Sequence, residues 1–160
     1  MSKIREILND KESVLVFDID GVLALFEWGE HNHYGDDDET WSKMYEKGGN
    51  YYTEKFVIKK MQNFLKDRDK SRIYVITKAF NDNEAEDKKY FANNFYGIPK
   101  EHVFYVKNNI DKTKVLCDIK NEYKEIPDYK LVMIDDTVEV LTHVMENTGF
   151  STVHISSFLD

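Results

Sequence analysis

The stretch Val14-Leu15-Val16-Phe17-Asp18-Ile19-Asp20-Gly21-Val22 passes from an unbroken apolar run to two acids and a glycine. A short run rich in β-branched and aromatic side chains suits a strand buried on both faces of a parallel sheet. Acids placed directly after such a strand lie at its carboxyl end, where open parallel sheets bind their ligands. The apolar residues before this pair and the glycine after it distinguish it from acids that merely cap a turn.

Working outward, three further runs read as strands: Ile73 to Ile76, Val103 to Val106 and Leu131 to Ile134. A weaker fifth spans Thr152 to Ile155. Helical patterns fall between them. From Thr53, a plausible N-cap, to Lys66, the residues Val57, Met61, Phe64 and Leu65 share one face. The next helix begins at Asn81, with Glu84 as its capping-box partner, and stops near Gly97. In the third, Val115, Leu116, Ile119 and Tyr123 form the stripe, and Pro127 lies beyond its end. The fourth runs from Thr137 to about Asn147, with Val138, Leu141, Val144 and Met145 inward and Gly149 after it. Strands alternating with helices predict an α/β protein, a three-layer sandwich around a parallel sheet of about five strands joined by right-handed crossovers.

Residues 24–52 break the alternation and are too many for a simple loop. They hold Trp28, Tyr34, Trp41, Tyr45, Tyr51 and Tyr52 among many acids. They read as a small insertion over one end of the sheet, with a short helix at Glu39 to Glu46. The rest fits a single domain over residues 1–160.

Composition narrows the function. The chain has 160 residues, 41% hydrophobic and 32% charged, enough for a core without disulfide or metal staples. No apolar run has the length of a membrane span, and the N-terminus lacks a signal peptide's apolar stretch. The single cysteine, Cys117, lies in an apolar helical pattern and reads as a core filler in a reducing cytoplasm. A formal charge of −8 argues against binding long nucleic acids, whose phosphates need Lys and Arg. It leaves room for a small phosphorylated substrate, because a divalent cation offsets local charge.

The residues after each strand carry the chemistry. Asp18 and Asp20 follow the first, Thr77 and Lys78 the second, and Asp135 and Asp136 the fourth. Asp111-Lys112-Thr113-Lys114, before the third helix, brings a lysine near the same edge. A carboxylate is a competent nucleophile toward phosphorus, and a second one two residues on can protonate a leaving oxygen and then activate water.

These residues resemble the four motifs of the haloacid dehalogenase superfamily. VFDIDGV at 16–22 resembles the first, Thr77 the second, Lys112 or Lys114 the third, and IDD at 134–136 the fourth. The match covers roughly 12–22 and 70–155 and omits the insertion. It implies a Rossmannoid sheet and a phosphomonoester hydrolase with Asp18 as nucleophile and Asp20 as general acid and base. ATPases, phosphonatases and dehalogenases of the superfamily carry other residues at the position of Asp20. The resemblance also implies Mg²⁺ held by the Asp18 side chain, the Asp20 backbone carbonyl and an acid of the Asp135/Asp136 pair. Thr77 and a lysine would bind the phosphoryl group.

Asp136 aligns with the commoner Gly-Asp form of the fourth motif, while Glu139, four residues after Asp135, suits the other register. Lys112 is favoured over Lys114 because DKT is similar to the corresponding stretch of 5′(3′)-deoxyribonucleotidases in the superfamily, which also end their fourth strand in IDD. The expected substrate is a small cytoplasmic phosphorylated metabolite, a nucleoside monophosphate before a sugar phosphate. The rival reading is a phosphate-binding or regulatory protein on the same fold without turnover. His31 and His33 read as surface residues, His143 and His154 as packing residues, and Asp36 to Glu39 as a solvated lead into a helix.

Overall fold

The computed structural model describes residues 3–25, 43, 46–48 and 52–159. Five strands form one all-parallel sheet: β1 (Val14–Phe17), β2 (Ile73–Lys78), β3 (Val103–Val106), β4 (Leu131–Asp135) and β5 (Ser151–His154). Their spatial order is β3-β2-β1-β4-β5. The α-helices whose bounds lie within the described residues are α1 (Lys3–Asn9), α2 (Lys59–Leu65), α3 (Asp82–Tyr96), α4 (Lys112–Glu122) and α5 (Val138–Asn147).

Alternation along the central strands makes the layers. Leu15, Phe17, Ile73, Val75, Val132 and Ile134 pack with Leu8, Met61, Leu65, Phe91 and Ala92, so α1, α2 and α3 cover one face. Val14, Val16, Tyr74, Ile76, Leu131 and Met133 pack with Leu116, Ile119, Leu141 and Val144, so α4 and α5 cover the other. The result is the expected three-layer sandwich with both sheet faces buried. Because the chain runs outward from β1 to β2 and β3, then returns to the other side of β1 at β4, the connections diverge between β1 and β4. In open parallel sheets such a divergence, at the carboxyl ends of the two strands, is where ligands bind.

Local chemistry accounts for several boundaries. Asn81 caps α3, its side chain accepting from the Glu84 amide at 2.9 Å. Gly97 ends that helix at φ 68°, in the left-handed region that glycine enters without strain. The Ile19 carbonyl accepts from the amides of Val22, Leu23 and Ala24, and the Gly21 amide donates to the Ala24 carbonyl at 2.9 Å. The acid-bearing loop after β1 is thereby wound into a compact turn.

Several expectations need correction. The helix predicted from Thr53 is a 3-10 turn at Glu54–Phe56 followed by α2 from Lys59, and Thr53 makes no side-chain cap bond. Val57 is extended because it pairs antiparallel with Ala24, which fastens the two ends of the insertion together. β2 continues through Thr77 to Lys78, and β5 begins at Ser151 and ends at His154. In α5, Val140 rather than Val138 faces inward with Leu141 and Val144. Val138 and Met145 are 65% and 58% exposed, each rotated off that stripe by the period of 3.6 residues. Cys117 is exposed, one residue beyond inward-facing Leu116, so it fills no core.

Most of the insertion lies outside the described residues, including Trp28, Trp41, His31, His33 and Asp36 to Glu39. Of the short helix expected there, Lys43 and Glu46 are described and are helical. No helix among the described residues is long and apolar enough to cross a membrane.

Candidate functional site

Asp18 is the first residue past β1, and its amide donates to the Ile134 carbonyl of neighbouring β4 at 3.0 Å. The aspartate is therefore fixed where the two strands end. It is only 7% exposed. The Lys112 ammonium lies 3.2 Å from Asp18 Oδ2 and 2.9 Å from Asp135 Oδ2. Asp18 Oδ1 is buried and has no hydrogen-bond partner among the described residues. A buried carboxylate oxygen left in that state is costly unless something else engages it.

Asp135 closes β4 and is wholly buried. Its Oδ1 accepts from the Thr137 amide at 2.9 Å and its Oδ2 from Lys112, so both oxygens are engaged. Burial and then the Asp18 charge push its pKa up to about 6, against the opposing pull of Lys112. Asp136 is exposed, and its Oδ1 accepts from the Thr137 hydroxyl at 3.2 Å. Asp18, Asp135 and Asp136 each offer an oxygen within 4.8 Å of the others.

This structure separates the two candidate lysines. Lys112 opens α4 and points into the site at 1% exposure, whereas Lys114 is exposed. Burial alone would lower the Lys112 pKa, but Asp18 and Asp135 outweigh it and hold it above the usual lysine value. Thr77 is fully buried in β2, and among the described residues its hydroxyl makes only a long 3.5 Å contact to the Lys78 carbonyl. The side chain of Lys78 is exposed. Glu139 is exposed and lies outside the three-carboxylate group. It lines a separate shallow cleft of about 210 Å³ with Asn109, Ile110, Thr137, Val140 and His143.

Asp20 is gripped differently. Its Oδ2 lies 2.6 Å from the Lys88 ammonium and its Oδ1 accepts from the Tyr52 hydroxyl at 2.7 Å. Burial, the largest influence, raises the Asp20 pKa despite Lys88, and the Asp18 charge adds to the rise. A third of the side chain is still exposed. Lys88 is held above the usual lysine value, because Asp20, Glu84 and Asp18 together outweigh the lowering effect of its burial.

Sequence reasoning did not single out Lys88, and it read Glu84 only as a capping residue and Tyr52 only as one aromatic of the insertion. One signal was present. Lys88 falls on the inward stripe of α3, between Ala85 and Phe91, where an unpaired lysine is not tolerated. Glu84 one turn earlier then marks its partner, at 3.0 Å. Tyr52 gave no comparable signal, since a tyrosine buries readily for packing alone. His154, expected to pack, instead places Nε2 3.0 Å from the Asp136 carbonyl and Nδ1 2.7 Å from the Ser156 hydroxyl.

Neither a protein-family model nor a curated protein matches the chain.

Proposed function

We propose that this protein is a phosphomonoester hydrolase of the haloacid dehalogenase type, working through an aspartyl-phosphate on Asp18. The observation that carries this reading is the Asp18 carboxylate. One oxygen is held by Lys112, and the other is buried without a partner among the described residues, beside two further carboxylates. A surface or structural aspartate would have that oxygen hydrated or hydrogen-bonded.

The residues also fit a divalent cation. Three clustered carboxylates face one lysine, leaving negative charge to be balanced, and hard oxygen donors suit Mg²⁺. Asp18 and Asp136 are the side-chain ligands of choice, with the Asp20 backbone carbonyl. Both oxygens of Asp135 are already engaged, so its role is to hold Lys112. Bound Mg²⁺ would lower the repulsion between the Asp18 carboxylate and a phosphate dianion.

In the first half-reaction an Asp18 oxygen bonds to phosphorus while the ester P–O bond breaks. Its electron pair passes to the leaving oxygen, which takes a proton from the Asp20 carboxyl. In the second, a water oxygen bonds to phosphorus while Asp20 takes a proton from that water. The P–O bond to Asp18 then breaks, releasing inorganic phosphate and restoring the carboxylate. Lys112 stabilises charge on the phosphoryl group, and the Thr77 hydroxyl, lacking a firm partner, orients one of its oxygens.

A small phosphorylated metabolite is the proposed substrate, with nucleoside monophosphates first and sugar phosphates second. The test is hydrolysis of p-nitrophenyl phosphate with Mg²⁺, followed by a panel of phosphorylated metabolites. Metal-dependent phosphate release is expected. Binding of phosphate compounds without any turnover would favour a regulatory protein and overturn the reading.

A further inference from the structure

Lys88 stands on the inward face of α3, almost wholly buried. An ammonium has three N–H donors. Here each meets an acceptor: Asp20 Oδ2 at 2.6 Å, Glu84 Oε1 at 3.0 Å and the Lys78 carbonyl. No donor remains for a substrate, so any hydrogen-bonded role of Lys88 in the reaction passes through Asp20. The Tyr52 hydroxyl donates to Asp20 Oδ1 at 2.7 Å, and its approach to Glu84 Oε1 is longer at 3.4 Å. With one proton to give, Tyr52 serves Asp20. Its ring is fixed edge-on against Phe91. Glu84 is tied in turn, its Oε2 accepting from the Phe80 amide at 2.6 Å.

Both oxygens of Asp20 are thus held, by donors from two separate parts of the chain. Such a grip removes the rotational freedom that an acid two residues from the nucleophile would otherwise have. Stability alone is a poor account of it. Desolvating an ammonium and two carboxylates offsets most of their attraction, and an apolar residue at 88 would continue the Ala85–Phe91 stripe.

We propose that Lys88 and Tyr52, braced by Glu84, are positioning residues that fix the plane and reach of the Asp20 carboxyl for proton transfer. The inference rests on the phosphohydrolase reading above. Through Tyr52 it also ties the acid/base to the last residue of the insertion.

The test compares Tyr52→Phe and Lys88→Met with the parent protein on two substrates. p-Nitrophenolate leaves without needing a proton, whereas the alkoxide of glycerol 2-phosphate needs one. For glycerol 2-phosphate, kcat/KM should fall about tenfold in Tyr52→Phe and about a hundredfold in Lys88→Met. For p-nitrophenyl phosphate kcat/KM, set by the first half-reaction, should stay within about threefold, while kcat and KM fall together because Asp20 must still activate water in the second. Parallel losses on both substrates, or no loss on either, would overturn the inference. Should Lys88→Met fail to fold, Tyr52→Phe, which removes one oxygen, decides alone. A parent protein that hydrolyses neither substrate would overturn the phosphohydrolase reading before any substitution is compared, and this inference with it.

Discussion

The carboxylate of Asp136 occupies the space in which a side chain at position 21 would begin: a Cβ on Gly21 would fall 2.1 Å from Asp136 Oδ2. Gly21 also has φ 74°, which an L side chain adopts only with strain. The two residues sit on different loops, one after β1 and one after β4. Their close approach leaves Asp136 beside Asp18 and Asp135.

Gly21→Ala should therefore damage the proposed metal site more than the fold. The left-handed conformation costs ~1–2 kcal/mol, to be read as a lower midpoint in thermal or urea unfolding. Asp136 must also withdraw, so the Mg²⁺ concentration for half-maximal activity should rise at least about tenfold. Unchanged Mg²⁺ dependence would remove Asp136 from the ligand set.

The lysines give a sharper contrast. Lys112→Ala should lower turnover by roughly a hundredfold or more, because it removes the ammonium that contacts Asp18 and leaves Asp135 buried without its lysine partner. Steady-state kinetics of purified Lys114→Ala should differ from the parent by less than about twofold, since that side chain is exposed. Equal losses in the two variants would place the phosphate-binding lysine elsewhere.

How far the site could be read in advance follows from where its parts lie. Asp18, Thr77, Lys112 and Asp135 stand at strand ends or a helix start, so periodicity and turn signals located them. The choice between Lys112 and Lys114 was not legible from spacing, because both occupy the first turn of α4; only burial separates them. The division of labour between Asp135 and Asp136 depends on hydrogen bonds to Thr137 and Lys112, which no local pattern encodes. Lys88 and Tyr52 reach Asp20 from 68 and 32 residues away, a contact that only tertiary packing creates. In the fold, the four main strands were legible as apolar runs. The break at Val57 was not, because it arises from pairing with Ala24 across the insertion.

Metal removal should silence the protein. Exhaustive chelation is expected to abolish hydrolysis, and Mg²⁺ to restore it. Ca²⁺ should compete without supporting turnover, because its looser, larger coordination misplaces the Asp18 oxygen. Full activity in chelator would contradict the proposed ligand set.

Asn81→Ala tests the element that carries Lys88. The Asn81 side chain accepts from the Glu84 amide, and losing such a cap costs about 1 kcal/mol. Urea unfolding should show that loss, while Mg²⁺ dependence should stay as in the parent.

The central claim is that phosphate passes through Asp18, and Asp20→Asn is the variant that exposes it. The amide keeps the backbone carbonyl at position 20 but can neither donate the proton nor activate water. With p-nitrophenyl phosphate, whose leaving group needs no proton, the first half-reaction should proceed and the second should stall. Acid quenching during turnover, proteolysis and mass spectrometry should then find one phosphoryl group on the peptide containing Asp18, and none once Asp18→Asn is added. An unmodified Asp18 peptide from a variant that still releases p-nitrophenolate, or a phosphoryl group on a histidine, would contradict the account.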